Sequence, residues 1–292
     1  MKVVGIEEIA ALRASRTEQL ALWVLVTFTV FAVIGFGVFG MHPALIAKTP
    51  SAASVYGAAF VVFARGQVLL AAIALLFVLS RRVGARWLPA FVAIYAISLA
   101  SELSGTTSGL PFGPYSYTDG LGPKWFGHVP LLIPLSWFLM AVPSYAIARH
   151  LIAARPHPLA RVLVGSLVLL SWDLALDPAM SHATKYWVWG DGVDGPYYGM
   201  PWLNLFGWYV TGVALMGVLA VLRADRWLAK VPLRWLAAYY AVNLALSLGI
   251  DAAAGLTYAV LTSLIPIVAC LAVMRGAQGS ANEMAVTATE AR

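Results

Sequence analysis

Two carboxylic acids placed four residues apart are the part of this sequence best suited to chemistry. Asp173 and Asp177 lie in the run Trp-Asp-Leu-Ala-Leu-Asp-Pro, and on a helix this spacing projects both side chains from one face, with Cβ atoms about 6 Å apart. Burial and a neighbouring like charge both favour the neutral form of a carboxyl group, so one member can hold a proton while the other acts as a base. Such a pair can perform general acid and general base catalysis. The alternative is structural: Asp177 with Pro178 ends a helix, and Asp173 pairs with Arg65.

Two further acids, Glu102 and Asp251, lie near the ends of other apolar segments. A carboxylate inside a bilayer is costly unless it is neutral or paired, so each is a candidate functional residue. Polar residues accompany the acids at helical spacing, which predicts polar stripes on three helices: Ser98 with Glu102, Ser166 with Asp173 and Asp177, and Asn243 and Ser247 with Asp251.

The composition places these acids in a membrane protein. Of 292 residues, 61% are hydrophobic and only 11% are charged, and the mean hydropathy is +0.81. A soluble domain carries about 25% charged residues. The single cysteine, Cys270, excludes a disulfide framework, and the five histidines lack the short repeated spacings of a di-iron site. The predicted fold is therefore an all-α, polytopic transmembrane helix bundle.

About 20 apolar residues are needed to cross a bilayer, and on this basis the sequence predicts eight spans. They form one transmembrane domain over residues 20–274, preceded by a cytoplasmic segment over 1–19 and followed by a disordered cytoplasmic tail over 275–292. The expected spans are 20–40, 55–79, 88–103, 129–148, 159–178, 203–222, 233–250 and 252–274. The last two are separated by a very tight turn, and a single broken segment is the alternative.

Basic residues predict the orientation of the bundle. Fifteen of the eighteen loop and terminal Lys and Arg residues lie on one side of the eight spans, which predicts a multi-pass plasma membrane protein with both termini in the cytoplasm. Their dispersal in small clusters argues against a nucleic-acid partner. The remaining cation, Arg65, is expected near the middle of the second span, as a structural counter-ion or as the group that keeps one carboxylate ionised. Glu102, Asp173, Asp177 and Asp251 then all face the non-cytoplasmic side.

Two long connections on that side, 104–128 and 179–202, are rich in glycine, proline and aromatic residues. The first has too many glycines and prolines for regular helix, so turn geometry is expected throughout it. We expect both connections to cap the helix ends at the membrane interface, where aromatic rings contact lipid on one side and water on the other. The alternative is an aromatic belt without a catalytic role.

Five motifs within this region resemble the integral-membrane carotenoid 1,2-hydratase family of the CruF type. They are the run from Glu102 through Thr118, Gly127-His-Val-Pro, Trp172-Asp-Leu-Ala-Leu-Asp-Pro, Tyr186-Trp-Val-Trp and the run from Tyr198 to Trp208. They occur in the order expected for the family and span roughly Glu102 to Trp208. Met200 stands where the family pattern has a small aliphatic residue.

The resemblance implies an enzyme of carotenoid biosynthesis, a hydro-lyase that adds water across the C-1,2 double bond of an acyclic carotenoid end without a cofactor. Its partners would be the carotenoid, water and the lipid bilayer, with other membrane enzymes of the pathway as candidates. A polyprenyl or lipid transferase is the alternative, although a second Asp-rich motif is absent and the outer side has few cations to bind diphosphate. A lipid carrier or proton-coupled transporter is a third hypothesis.

The chemistry of hydration assigns candidate roles to the residues. Asp173 or Asp177 donates a proton to C-2, and its partner or Glu102 activates the water that attacks the tertiary cation at C-1. Aromatic faces stabilise the cation: Tyr115, Trp172, Trp187, Trp189 and Trp202. The predicted substrate-binding set is completed by Arg65, Tyr117, Asn204 and Asp251, and no metal site is expected.

Overall fold

The computed structural model describes residues 13–48, 50–153, 157–190, 195–262 and 268. The long helices are α1 (Arg16–Gly35), α3 (Pro50–Val83), α4 (Leu88–Ser108), α5 (Leu132–Leu151), α6 (Pro158–Asp177), α7 (Trp202–Val221) and α9 (Leu233–Ala253). Two short helices, α2 (Pro43–Ala47) and α8 (Ala224–Leu228), lie in connections. Helices α1 and α6 each continue into a π-helical turn, Phe36–Gly40 and Pro178–Ala183 respectively. Helix α6 packs against α5 and α7, and α1 packs against α3 and α9.

Six segments among the described residues are long and apolar enough to cross a membrane. One of them, Ala53–Ser108, contains both α3 and α4 and the 3-10 turn Gly84–Trp87 between them, so the six segments cover the first seven predicted spans. An all-α membrane bundle is therefore supported, whereas the count of eight is not confirmed. The eighth predicted span, 252–274, starts with a turn at 254–255 and helical backbone at 257–262, and its remainder lies almost wholly outside the described residues. The predicted tail and residues 1–12 also lie outside them.

One end of the bundle is held together around Glu18. Ser15 and Glu18 form a capping box that satisfies the first free amides of α1. The Glu18 carboxylate, which is fully buried, pairs with Arg82 at the end of α3 at 2.6 Å, and its carbonyl accepts a hydrogen bond from the indole of Trp235 at the start of α9. The starts of α1 and α9 and the end of α3 therefore meet here. Asp251, sixteen residues beyond Trp235 on α9, is about 24 Å away along the helix axis.

A second ionic cluster ties the connection between α5 and α6 to the connection between α7 and α9. The Asp225 carboxylate of α8 pairs with Arg161 in the first turn of α6, and the Asp225 carbonyl accepts a hydrogen bond from Arg149 in the last turn of α5. Asp173 lies twelve residues along α6 from Arg161, or about 18 Å. The clustered basic residues and the acid pair thus occupy different ends of α6.

The two aromatic-rich connections pair with each other over the opposite end of α6. Strand β1 (Tyr115–Tyr117) from the first connection and strand β4 (Trp187–Trp189) from the second form an antiparallel pair in which Tyr117 faces Trp187. A second small pair joins β2 (Lys124–Trp125) and β3 (Val129–Pro130). Within the described ranges, these four short strands depart from the all-α prediction.

The expectation of turn geometry throughout 104–128 is wrong for its first residues, because α4 continues to Ser108. It ends where Gly109 adopts φ +77°, a left-handed conformation that glycine takes without steric cost. Beyond this cap, Phe112 inserts between α4 and α7. A Cβ atom would lie 2.8 Å from the Phe112 ring at Gly105 and 2.6 Å from it at Gly207, so both helices need glycine where the connection enters the bundle.

Candidate active site

Glu102 of α4 is buried with 4% exposure and is held by three neutral hydrogen-bond donors. The hydroxyl groups of Tyr115 and Tyr117 both donate to Oε2, the latter at 2.8 Å, and the indole of Trp137 donates to Oε1 at 2.8 Å. Donors of this kind stabilise the charged form of a carboxyl group, whereas burial opposes it. Among the described residues, no cation is within ion-pair distance of Glu102.

Strand geometry explains why two tyrosines reach the same oxygen. Residues two apart on a strand point to one face, so Tyr115 and Tyr117 of β1 both project toward α4. Their rings contact Trp189 and Trp187 of the paired strand, with centroids 5.5 and 5.9 Å apart respectively. Burial, followed by the negative charge of Glu102, raises the pKa of both phenols well above 10. Both hydroxyl groups therefore stay protonated and able to donate across the physiological pH range.

The Asp173 and Asp177 side chains of α6 are joined by the amide of Asn204, in the first turn of α7. Its Nδ2 atom lies 3.1 Å from Asp173 Oδ2 and 3.3 Å from Asp177 Oδ2, and an amide nitrogen has two hydrogens to donate. The indole of Trp187 donates to the same Asp177 oxygen at 3.3 Å. The side chains of Asp173, Asp177 and Asn204 are each at most 2% exposed. Asp173 Oδ1 has no hydrogen-bond partner in the described part of the chain.

Ser181, in the π-helical turn after α6, can satisfy Asp177 in either protonation state. Its Oγ lies 2.8 Å from the Asp177 carbonyl and 2.7 Å from Asp177 Oδ1. A hydroxyl group has one hydrogen and two lone pairs. When the hydrogen points to the carbonyl, a lone pair can accept the proton of a neutral Asp177; when it points to Oδ1, it stabilises the carboxylate. The turn thus provides a group that suits an acid which gains and loses a proton.

Glu102 and Asp177 line one apolar cavity of about 280 Å³. Asn204 also lines it, whereas Asp173 is fully buried behind the Asp177 side of the wall. The wall around the two acids is aromatic: Tyr115, Tyr117, Trp137, Trp172, Trp187, Trp189 and Trp208. Trp137 and Trp208 stack with centroids 4.0 Å apart, and Trp172 contacts Trp208 edge-on. The cavity thus combines two carboxyl groups with rings that can face a cation.

Most of the residues predicted from the sequence come together here, but three do not. Arg65 does not pair with Asp173, and instead donates hydrogen bonds to the carbonyls of Gly120 and Asp119 at 3.0 and 3.2 Å, which holds the first connection against α3. Trp202 is 64% exposed and does not line the cavity. Asp251 is fully buried outside the cavity wall, and neither of its carboxylate oxygens has a hydrogen-bond partner among the described residues.

Three site residues were not predicted from the sequence. Trp137 and Ser181 hydrogen-bond the acids, and Trp208 completes the aromatic wall. Trp208 closes one of the recognised motifs, which was a signal for it, and Ser181 lies four residues after Asp177. Trp137 lies in a segment with no polar stripe, so no spacing pointed to it. Met200, the departure from the family pattern, is fully buried with its sulfur 2.9 Å from Asn204 Nδ2.

The described residues offer no cluster of metal ligands. Among them, no group of three or more His, Cys, Asp or Glu side chains is arranged to hold a metal ion.

Comparison with known proteins gives this site a context. Residues 60–270 match the family described as "Carotenoid biosynthesis protein", and this match includes every site residue named above. A similar protein is the bisanhydrobacterioruberin hydratase of Haloarcula japonica, which is 32% identical over 125 residues, covering 42% of this chain and 41% of the relative. The alignment thus spans less than half of that relative's length. No solved structure matches the chain. Because the family match extends over well over half of the sequence, the chain belongs to the carotenoid biosynthesis protein family.

Proposed function

We propose that this chain is a carotenoid 1,2-hydratase, which adds water across the C-1,2 double bond at an acyclic carotenoid end. The observation that carries the proposal is the placement of two carboxyl groups, Glu102 and Asp177, on the wall of one apolar, aromatic cavity. Hydration of a trisubstituted alkene needs an acid, a base and an environment that tolerates a tertiary cation. The name of the Haloarcula japonica relative supports the same reaction type.

Asp177 is the proposed general acid. It lines the cavity, and its neutral form is satisfied by Ser181 on one oxygen and by Trp187 and Asn204 on the other. In the first step its proton adds to C-2, the π electrons of the double bond form the new C–H bond, and the positive charge develops at C-1. Asp177 is left as a carboxylate.

Glu102 is the proposed general base. Water attacks C-1, and as the C–O bond forms Glu102 accepts a proton from that water, which leaves a neutral tertiary alcohol. The three neutral donors around Glu102 favour its ionised form before this step. Return of the proton from Glu102 to Asp177 restores both groups, so the reaction consumes only the alkene and one water and needs no cofactor.

The aromatic wall is proposed to stabilise the intermediate. A ring face can contribute about 2 kcal/mol to a desolvated cation, and Trp172, Trp187, Trp189 and Tyr115 all line the cavity. An apolar wall also limits the number of water molecules near C-1, which reduces loss of a proton from the cation. Asp173 does not line the cavity, and we assign it a positioning role through Asn204.

The substrate class is an acyclic end group such as that of lycopene, γ-carotene or a bacterioruberin precursor. We further propose that the protein lies in the plasma membrane with both termini in the cytoplasm, because the basic residues favour that orientation. The acids would then face the non-cytoplasmic side. An extended carotenoid is about as long as the roughly 30 Å hydrocarbon core, so its end reaches this region.

Expression in cells that accumulate lycopene tests the proposed activity. We expect products heavier by one or two molecules of water, identified by mass spectrometry, and absent from cells with the empty vector and from cells with Asp177→Asn. Unchanged lycopene in cells that contain correctly inserted protein would contradict the proposal. A product that forms only when a diphosphate donor and magnesium are supplied would instead favour a transferase.

A further inference from the structure

We infer that four aromatic rings form a track along which the conjugated chain of the substrate binds, and that the substrate enters between α1 and α3. This inference rests on the proposed function and adds to it a binding site away from the acids. The rings belong to Phe39, Tyr56, Phe60 and Tyr186, and all four line the cavity.

The rings follow one another at contact distance. The centroid of Phe39 is 6.3 Å from that of Tyr56, Tyr56 is 6.2 Å from Phe60, and Phe60 is 5.0 Å from Tyr186. Phe60 and Tyr186 are almost parallel, at 8°. Such spacing is that of interacting aromatic pairs, and a flat conjugated hydrocarbon can lie against successive ring faces.

The two ends of this track differ in exposure. Phe39 is 46% exposed on the surface of the bundle, whereas Tyr186 is 5% exposed and precedes Trp187, whose indole donates to Asp177. The track therefore connects the apolar surface of the protein with the catalytic acid. Because Phe39 lies in the turn that extends α1, and Tyr56 and Phe60 lie on α3, the outer end opens between these two helices.

Small residues face the same space. Ala32 and Gly35 of α1 and Ala59 and Ala64 of α3 line the cavity, and a Cβ atom added at Gly35 would meet no atom within 4 Å. The space beside the track is thus open where a chain would pass. The volume of the cavity is also informative: about 280 Å³ is just below the roughly 300–1,000 Å³ typical of pockets for drug-sized ligands.

A cavity of this size cannot enclose a hydrocarbon about as long as the bilayer core is thick. The reacting end and the adjoining part of the chain lie in the cavity along the track, and the remainder leaves past Phe39 into the lipid. Recognition then depends on the end group and on the conjugation beside it, whereas the far end of the carotenoid stays outside the protein.

Binding of a polyene that cannot react separates this inference from the proposed reaction. The probe is 1,2,1′,2′-tetrahydrolycopene, which keeps the conjugated chain and lacks both terminal double bonds. The full-length protein is placed in lipid nanodiscs, and binding of the probe is measured as quenching of tryptophan fluorescence. Phe60→Ala should weaken binding about three- to tenfold, the range expected for loss of one aromatic contact. Phe91→Ala is the control, because Phe91 packs on Phe138 outside the cavity wall.

A second pair of variants fills space instead of removing a ring. Gly35→Leu places a side chain in the open space beside the track and should abolish saturable quenching of tryptophan fluorescence. Gly217→Leu is matched to it, since a Cβ atom at Gly217 also meets no atom within 4 Å and Gly217 does not line the cavity. Gly217→Leu should bind the probe like the unmodified chain.

The outcomes distinguish the two proposals. Equal binding by Phe60→Ala and Phe91→Ala, equal binding by the two leucine variants, or no saturable binding by the unmodified chain would each overturn the track, even if lycopene is hydrated. Weaker probe binding by Phe60→Ala and loss of saturable binding by Gly35→Leu, with unchanged binding by Phe91→Ala and Gly217→Leu, would support the track. If lycopene is then not hydrated, the proposed reaction is the part that fails.

Discussion

Replacing Tyr117 with phenylalanine tests whether Glu102 acts as a carboxylate. The change removes a hydroxyl group 2.8 Å from Glu102 Oε2 and keeps the ring that packs on Trp187. Glu102 retains Tyr115 on the same oxygen and Trp137 on the other. A hydrogen bond to a charged group contributes about 1.5–3 kcal/mol. The lost hydrogen bond stabilises the ionised Glu102 that is proposed to accept the proton from water. Since about 1.36 kcal/mol corresponds to a tenfold change in rate, we expect kcat for lycopene hydration to fall roughly ten- to a hundredfold.

The double variant adds a test of the shared oxygen. Tyr115→Phe should have an effect similar to that of Tyr117→Phe, and the double variant should depart from the product of the two because both hydroxyl groups bind Oε2. Initial rates are measured by liquid chromatography on membranes that contain equal amounts of folded protein. Thermal unfolding of each purified variant separates loss of activity from loss of structure.

Tyr95→Phe is the matched control for these variants. Tyr95 lies on the same helix as Glu102, and its hydroxyl group donates to the carbonyl of Leu131 at 3.1 Å, away from the acids. Its loss should leave kcat within about twofold, since surface-exposed hydrogen bonds contribute little. If Tyr117→Phe is folded and as active as Tyr95→Phe, the hydrogen bond from Tyr117 does not support a catalytic carboxylate, and the reasoning behind the assignment of the base is wrong.

Three further predictions concern the acids, the source of oxygen and the orientation. Asp177→Asn should lower the hydration rate about a thousandfold or more, because general acid catalysis contributes about 10²–10⁴-fold. Asp173→Asn should lower the rate only about tenfold, because Asp173 does not line the cavity. Equal losses in the two variants would mean that both acids take part in the reaction. The new hydroxyl should carry ¹⁸O from labelled water under anaerobic conditions with chelator present, and incorporation from O₂ would point to a hydroxylase. In a Cys270→Ser background, Asp119→Cys should react with an impermeant thiol reagent in intact spheroplasts, whereas Lys230→Cys should react only after lysis. The reverse pattern would show that the bundle has the opposite orientation in the membrane.

The helices were predictable because their causes are local. Apolar runs of about 20 residues indicated the segments, and the spacing of Asp173 and Asp177 indicated a shared helix face, both of which depend on residues close in sequence. Boundaries moved by up to about five residues, as at Ser108, where the left-handed Gly109 ends α4 later than the composition suggested. Recognition of the family also succeeded because its motifs are contiguous.

The contacts that make the site were less predictable, because they join distant parts of the chain. Pairing of Tyr117 with Trp187 brings together residues 70 positions apart, and no local pattern specifies that register. Trp137 reaches Glu102 from a helix that has no polar stripe. Arg65 was expected to pair with a buried acid, but it donates hydrogen bonds to two backbone carbonyls of the first connection instead. Every residue has such a carbonyl, so the sequence does not indicate which ones an arginine will bind.

The choice of donors around the acids bears on the chemistry itself. In soluble proteins a buried carboxylate is usually paired with a cation. Here the phenols of Tyr115 and Tyr117, two indoles and the amide of Asn204 hold Glu102 and Asp177, and the ion pairs among the described residues involve other acids. An arginine or lysine at this place would neutralise the carboxylate and would also repel a positive charge at C-1. Neutral donors satisfy the oxygens and leave the negative charge of the site available to the proposed tertiary cation, as the proposed hydration requires.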